Sequence, residues 1–291
     1  MSVLNPYVAN RTRAKLRLEH GFRRVNDFYW AVRLSSRFAQ EPSQQAALNT
    51  FVSTDPDLQR QGRLSAARLP DLWPNVEQGI YAFGVIVLFS FFEPYLRDVL
   101  ITAVLANPAC IGNTSAINGE AIAGDEALLA ALETLAYPTV DRMLTGPYKQ
   151  RFASIAKVFG DPVKKTVAPY SGIVDEYYAK RNCLIHNDGV IDARAHRFFA
   201  SDSRNPAGGR VVVDFADYLR LHKAIHGLSD AFDAFMMQTH IRNAEALRAI
   251  RQYMRANPKC TAKDVSRFVL ESGMGTVSRN VLARALGLRE T

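Results

Sequence analysis

RNCLIHNDG, residues 181–189, places an arginine five residues ahead of a histidine. A guanidinium keeps its charge at any ordinary pH and presents a planar fork of donors that suits a phosphate. An imidazole titrates near neutrality, so Arg181 and His186 together suit phosphate binding beside proton transfer. His186 falls three residues before Gly189, in what should be the last turn of a helix, where partnerless carbonyls favour the imidazolium. Asn182 lies four residues ahead of His186, within side-chain reach on a helix. Cys183 falls on another side, away from the histidine, and is a poor candidate nucleophile.

The helix that positions these groups is expected to begin near Ser171, after a break at DPVKKTVAP, and to stop at Asn187-Asp188-Gly189. On a wheel stepped at about 100° per residue, Ile173, Val174, Tyr177, Tyr178, Leu184 and Ile185 form one apolar stripe. Arg181 falls near the middle of it, whereas Glu176 and Lys180 fall on the outer side as a solvent-type i,i+4 pair. An arginine inside an apolar stripe requires an anion, either a carboxylate such as Glu93 or a bound phosphate. Arg181 and His186 are about 140° apart on a regular helix. They meet only if the last turn unwinds or a second copy supplies the missing half, as an isologous dimer does. The plainer alternative is an arginine stacked on Tyr177 and Tyr178 and paired with Glu93, with a histidine capping a helix end.

Upstream, residues 11–39 read as a helix interrupted at Gly21, with Phe22, Val25, Phe28, Tyr29 and Val32 on one face. Residues 41–74 read as a long connection and 75–106 as a long helix containing FFEPYLRDVL. Glu93 lies on the apolar side of that helix, where a carboxylate needs a cationic partner. Its apolar run, Gly79 to Phe92, is shorter than the roughly twenty residues of a membrane span, which favours a core helix and no membrane. Helices are expected at about 125–136 and 146–158, two β-prone stretches in a hairpin-like loop after Gly189, and one long helix or two in series from Phe215 to Arg255. His222, His226 and Asp230 share helical spacing that a metal site uses, but LRLHKAIHGLSDAF makes equal sense as an amphipathic helix. His196 reads as a solvent group in the loop.

The motif resembles the Arg-x4-6-His signature of the HEPN superfamily in its four-residue spacing, with Asn182 after the arginine and HNDG at the end. The acidic residue ahead of an aromatic-Leu-basic segment, Glu93 in FFEPYLRDVL, looks like that superfamily's upstream helix. The resemblance covers roughly residues 76–236. It implies a mainly α fold, an up-and-down helical bundle with a small hairpin-like insertion. It also implies a homodimeric, metal-independent endoribonuclease that needs no cofactor, in a toxin or antiphage-defence setting where an antitoxin or other regulator is a possible partner. On that reading a 2′-OH attacks the adjacent phosphate, His186 is base or acid, Arg181 holds the phosphate, Asn182 orients His186 or a phosphate oxygen, and Glu93 holds Arg181. One departure is Asp188, which stands where a subgroup of toxins carries a modifiable tyrosine.

Among 291 residues, 48% are hydrophobic and 22% charged, which excludes disordered, collagenous and disulfide-scaffold classes. Three cysteines without a CxxC pair fit a reducing cytoplasm, and the first residues lack the apolar run of a secretory signal. No GxSxG elbow, phosphate loop or dinucleotide fingerprint occurs. The net charge of +8 is uneven. Residues 1–37 hold eight Lys/Arg against two acids, and residues 241–291 hold ten against four, so the ends are basic and the middle slightly acidic. The tail TAKDVSRFVLESGMGTVSRNVLARALGL reads as two capped helices parted at Gly273 and Gly275. It could form a helix-turn-helix that offers Ser278, Arg279, Asn280 and Arg284 to a groove, dock RNA, or simply pack or oligomerise, with Lys263, Arg267, Arg279 and Arg284 the candidate nucleic-acid-binding residues. The expected organisation is a basic helix and connection (1–75), the helical bundle (76–237) and a basic helical appendage (238–291). The alternative function is a non-catalytic nucleic-acid-binding or regulatory protein that uses the appendage.

Overall fold

The computed structural model describes residues 8–9, 11–41, 44, 50, 54, 69–108 and 126–287. Their elements are β1 (Val8–Ala9), α1 (Arg13–Gln40), α2 (Leu69–Ala106), α3 (Glu126–Met143), α4 (Tyr148–Phe159), α5 (Pro162–His186), α6 (Ala193–His196) and α7 (Phe215–Met236). A π-helical turn (Met237–Ile241), α8 (Ala244–Ala256), α9 (Ala262–Glu271), β2 (Gly275–Thr276) and α10 (Arg279–Leu286) complete the order. The mainly α class expected from the sequence is what forms. The one ladder among the described residues is antiparallel, with Val8 opposite Thr276 and Ala9 opposite Gly275.

The chain divides into two compact units. The first takes Met1–Glu19, Phe91–Asp175 and Lys223–Thr291, and the second takes His20–Ser90 and Glu176–His222.

In the first unit, Phe92, Leu96, Val99 and Leu100 of α2 are fully buried, as are Tyr148 and Ile155 of α4 and Leu228 and Phe232 of α7. Phe92 stacks on Tyr148 with ring centres 5.6 Å apart, and Phe152 meets Phe232 edge-on at 6.0 Å. The start of α4 has no cap of its own, because Pro147 precedes it. The Asp175 carboxylate instead accepts the backbone amides of Tyr148 and Lys149, satisfying two orphan donors of the first turn. In the second unit, Tyr29 stacks on Phe215 at 5.6 Å and on Tyr218 at 5.5 Å, and Phe89 meets Tyr178 edge-on at 5.7 Å.

Several local expectations change. Helix α1 runs unbroken through Gly21, which is buried. The roughly 1 kcal/mol helix penalty of glycine is outweighed by burying Phe22, Val25 and Tyr29, whereas Phe28, expected on the same face, is 52% exposed. Helix α2 starts at Leu69, inside the expected connection, and Pro70 sits in the first turn where an amide is not needed. Most of the rest of that connection, and nearly all of the turn-rich 107–124, lies outside the described residues. DPVKKTVAP is no break: Pro162 opens α5, as its fixed φ suits a first helical position, and Val163 and Val167 bury one turn apart. The helices expected at 125–136 and 146–158 form as α3 and α4, with α3 continuing through Pro138 to Met143.

The expected hairpin-like loop is held by one bridge, Val190 to Arg210. The amide of Ile191 donates to Gly209 O at 2.9 Å and that of Val211 to Gly189 O at 2.8 Å, while α6 forms where a strand was expected, its first turn capped by Asp192. The helix from Phe215 is two in series, joined by the π-turn. By length and composition Asn75–Ala106 is apolar enough to cross a membrane, but Val85, Leu88 and Phe89, like Phe92 and Leu96, have no exposed surface in the protein.

Two glycines of α2 test the packing of the second unit. A Cβ on Gly84 would come 2.9 Å from Cε2 of the Tyr218 ring, whereas a Cβ on Gly79 meets nothing within 4 Å. Gly84→Ala should destabilise by about 1–3 kcal/mol through overpacking, and Gly79→Ala should stabilise by up to about 1 kcal/mol through helix propensity. Denaturant midpoints at constant slope measure both.

Candidate active site at the end of α5

The sequence stops α5 where it must. The amides of Asn187 and Gly189 both donate to the Cys183 carbonyl, at 3.0 and 2.9 Å. Asp188 and Gly189 take left-handed φ values of 50° and 76°, a reversal that glycine makes without strain and aspartate tolerates better than most residues. The helix is wound as far as His186, so the last turn does not unwind.

Arg181 is half-buried, and its Nη1 donates to Asn182 Oδ1 at 3.0 Å. The guanidinium carbon stands 5.9 Å from the centre of the Tyr178 ring, and Tyr178 is itself braced by Phe89. The arginine is thus held from two sides in the second unit. His186 is exposed at the helix end, between Ile185 and the Asn187-Asp188 turn. Asn187 donates to Asp192 Oδ2 at 3.3 Å, and Asp188 pairs with Arg210 at 2.9 Å. The backbone amide of Ala195 holds the Asp192 carboxyl below its ordinary value. Across a regular helix, five residues separate Arg181 from His186 by about 7.5 Å of rise and about 140° of rotation.

The stripe itself is rotated from the expected one. Lys180, predicted to face solvent, has no exposed surface, and Cys183, predicted to lie off the stripe, is 1% exposed. Ile185, predicted within it, is 41% exposed, and Arg181 lies at its margin. The cause is a cluster of acids. Lys180 Nζ lies 3.2 Å from Glu176 Oε1, 3.1 Å from Asp202 Oδ2 and 4.0 Å from Asp217 Oδ1, and 4.8 Å from the centre of the Tyr177 ring. Arg204 reaches Asp202, Asp214 and Asp217, and Arg220 reaches Glu176. Asn205, fully buried, donates to Asp202 and accepts the amide of Val212. Tyr177 Oη donates to Asp217 at 2.7 Å. This network ties the loop that follows the motif to the motif helix.

Its charges set the protonation states. Arg204, then Lys180 and Asn205, hold Asp202 well below the usual carboxylate range. Burial opposes ionisation of Asp217, but the Tyr177 hydroxyl, the Asp214 amide, Lys180 and Arg204 outweigh it and lower its pKa. Burial, with the neighbouring Asp217, pushes the Tyr177 phenol far up. The Cys183 thiol is also pushed up by burial, which removes the thiolate a nucleophile needs.

Glu93 belongs to the first unit and pairs there with Arg151, where the expectation was that it holds Arg181. Arg151 Nη1 stands 3.1 Å from Glu93 Oε1, and the Arg151 guanidinium lies over the Tyr148 ring at 4.5 Å. Lys263, Arg267 and Arg279 are exposed in the same unit, and Arg284 lies on α10 with its side chain outside the described residues. The histidine set is dispersed among other contacts: His226 Nδ1 pairs with Asp230 at 2.8 Å, and His222 packs on Phe22 at 5.2 Å. No group of three or more metal-ligating side chains occurs among the described residues. His196 is half-buried against Phe199. The network around Lys180 escaped the sequence reading. Its one local trace, Glu176 four residues ahead of Lys180, looks the same whether exposed or buried.

Comparison with protein-family models, with curated proteins and with solved structures gives no match to the chain.

Lys180→Met leaves several carboxylates facing one another without their central cation, and should destabilise by about 3–5 kcal/mol. Because Asp202 and Asp217 ionise more readily when folded than when unfolded, their contribution is complete above the ordinary carboxylate value of 3.8 and is lost as pH falls below it. Thermal melts from pH 7 down to 3 should show a steep acid limb, flattened in Asp202→Asn. A limb unchanged in that variant would show that other groups govern the acid transition.

Proposed function

We propose that the protein is a metal-independent endoribonuclease that works as a homodimer, in the toxin or defence role that its resemblance to the HEPN superfamily implies. The observation that carries the reading is a braced guanidinium, Arg181 on Asn182 and Tyr178, followed by an exposed imidazole at His186 on a helix that stays wound to that residue. A fixed cation together with a solvent-facing imidazole is what transfer at a phosphate demands.

In the reaction, His186 takes the proton of a ribose 2′-OH as its oxygen bonds to the adjacent phosphorus. The 5′-oxygen of the next nucleotide leaves and receives a proton, giving a 2′,3′-cyclic phosphate and a 5′-OH. Arg181 stabilises the charge that accumulates on the phosphoryl oxygens. The Asn182 carbonyl oxygen is occupied by Arg181, and its amide protons can serve a phosphate oxygen or His186. The requirement for a 2′-OH makes RNA the substrate.

Since one wound helix sets Arg181 and His186 on different sides, Arg181 of one copy acts with His186 of the second. Ile185, Val190 and Phe198 are each 40% exposed or slightly more. Ile185 and Val190 lie within four residues of the histidine, and exposed apolar side chains there favour covering by a second copy.

Purified protein incubated with total RNA in EDTA should yield fragments ending in cyclic phosphate. Arg181→Ala and His186→Ala should each cut at least about 100-fold more slowly. Equal parts of the two variants, mixed and allowed to exchange subunits, should regain part of the activity, because one of the two composite sites is then intact. Intact RNA with the wild-type chain, or undiminished cutting by both variants, would refute the reading.

A further inference from the structure

The residues from Ala244 to Leu286 form a three-helix module with its own core inside the first unit. Ala246, Leu247 and Ile250 of α8, Ala262, Val265 and Val269 of α9, Val277, and Leu282 of α10 are buried together. Tyr253 stacks on Phe268 at 4.4 Å between α8 and α9. A capping box of Thr261 and Asp264 starts α9, and β2 in the turn before α10 is pinned by β1.

The exposed charges of this module are mostly basic. Of its three acids, Glu245 is half-buried and accepts the Arg13 amide at 3.3 Å, with its pKa raised by burial. Asp264 is spent on the capping box, and only Glu271 is exposed. Arg255, Lys259, Lys263, Arg267 and Arg279 are all exposed, and Lys263, Arg267 and Arg279 enter no ion pair among the described residues. Like charges recur four apart, Arg251 with Arg255 and Lys263 with Arg267, an arrangement that weakens a helix by about 0.2–0.5 kcal/mol per pair. The fold tolerates that cost twice in neighbouring helices.

Helix α10 adds a reading edge. Leu282 is buried under it while Ser278, Arg279 and Asn280 are exposed at its start. Ser278 stands at the N-cap yet makes no capping hydrogen bond, unlike Thr261 on α9. Its hydroxyl is therefore not committed to its own helix.

We propose that this module docks on duplex DNA, with α10 in the major groove and the cations of α9 on the flanking phosphates. Shape decides between duplexes. An α-helix about 10–12 Å across fits the B-form major groove, about 12 Å wide, whereas the A-form groove of RNA is too narrow and deep to admit one. Arg279 offers the bidentate fork that recognises guanine and Asn280 the pair of groups that recognises adenine. The turn from Ser272 to Ser278 is longer than the three or four residues of a simple helix-turn-helix, and the β1–β2 pairing stiffens it. This inference is independent of RNA cleavage at Arg181 and His186.

Fluorescence anisotropy of the full chain tests it, with a labelled DNA duplex of about two helical turns and a 2′-O-methyl RNA duplex of the same sequence, which cannot be cleaved. The DNA should bind at least about tenfold more tightly, and less so at about 200 mM salt than at about 50 mM. A Lys263→Ala, Arg267→Ala, Arg279→Ala variant should bind DNA at least about tenfold more weakly. Its log–log salt slope should be shallower by about two, close to 0.9 for each of the two phosphates that Lys263 and Arg267 no longer neutralise. A melting curve confirms that the variant folds, and the wild-type comparison of the two duplexes stands even if it does not. Equal or tighter binding of the RNA duplex, no binding of DNA at low salt, or a folded variant with undiminished affinity would overturn the proposal.

Discussion

An ammonium with no exposed surface has to be neutralised where it sits, and Lys180 meets that demand with carboxylates drawn from three places in the second unit. Glu176 comes from the same helix, Asp202 from the loop after the motif and Asp217 from the first turn of α7. The desolvation cost of burying such a charge is several kcal/mol per ion, so the arrangement persists only if the whole set is in place at once. Position follows from charge here. The loop cannot leave α5 without stranding Lys180, and α5 cannot turn about its axis without moving Lys180 away from its acids.

That constraint determines what faces outward at the motif. With Lys180 and Cys183 turned inward, helical geometry leaves Arg181 at the margin and His186 on the exposed side. Tyr178, on the same helix, then lies where the guanidinium can reach its ring, and Phe89 fixes Tyr178. The catalytic candidates contribute little to their own placement. A buried ion network one residue away orients them, and the His186 side chain makes no hydrogen bond or ion pair among the described residues.

How far the sequence discloses this depends on the range of the forces involved. Stops and caps are local, so Asn187-Asp188-Gly189 and the Thr261/Asp264 box could be recognised from consecutive residues, and so could the helical class. Glu93's need for a cation was also legible, because a carboxylate on an apolar face has few alternatives. Its partner Arg151 is 58 residues away and was not. Periodicity failed at Lys180 for a related reason. A lysine reads as polar in any pattern, and only the acids at 202 and 217, distant in sequence, turn it into an interior residue. Proline was misread the other way: Pro162 looked like a break because its place relative to the helix start depends on Gly160 and Asp161 ahead of it. Gly21 looked like one because the burial that compensates it is tertiary.

The remaining tension lies in α5 itself. A wound helix cannot bring Arg181 and His186 onto one phosphate, and the Lys180 network opposes rotating or unwinding the segment that carries them. Within one chain the guanidinium and the imidazole therefore stay apart. Flexibility in the last turn would unite them only by breaking the Cys183 carbonyl's two hydrogen bonds, which close the helix and start the loop. On the proposed dimer, a two-fold axis near exposed Ile185 would need no such break, because it would set each arginine against the other copy's histidine while both helices stay wound. The rigidity that separates the pair within one chain would then hold them in register between two.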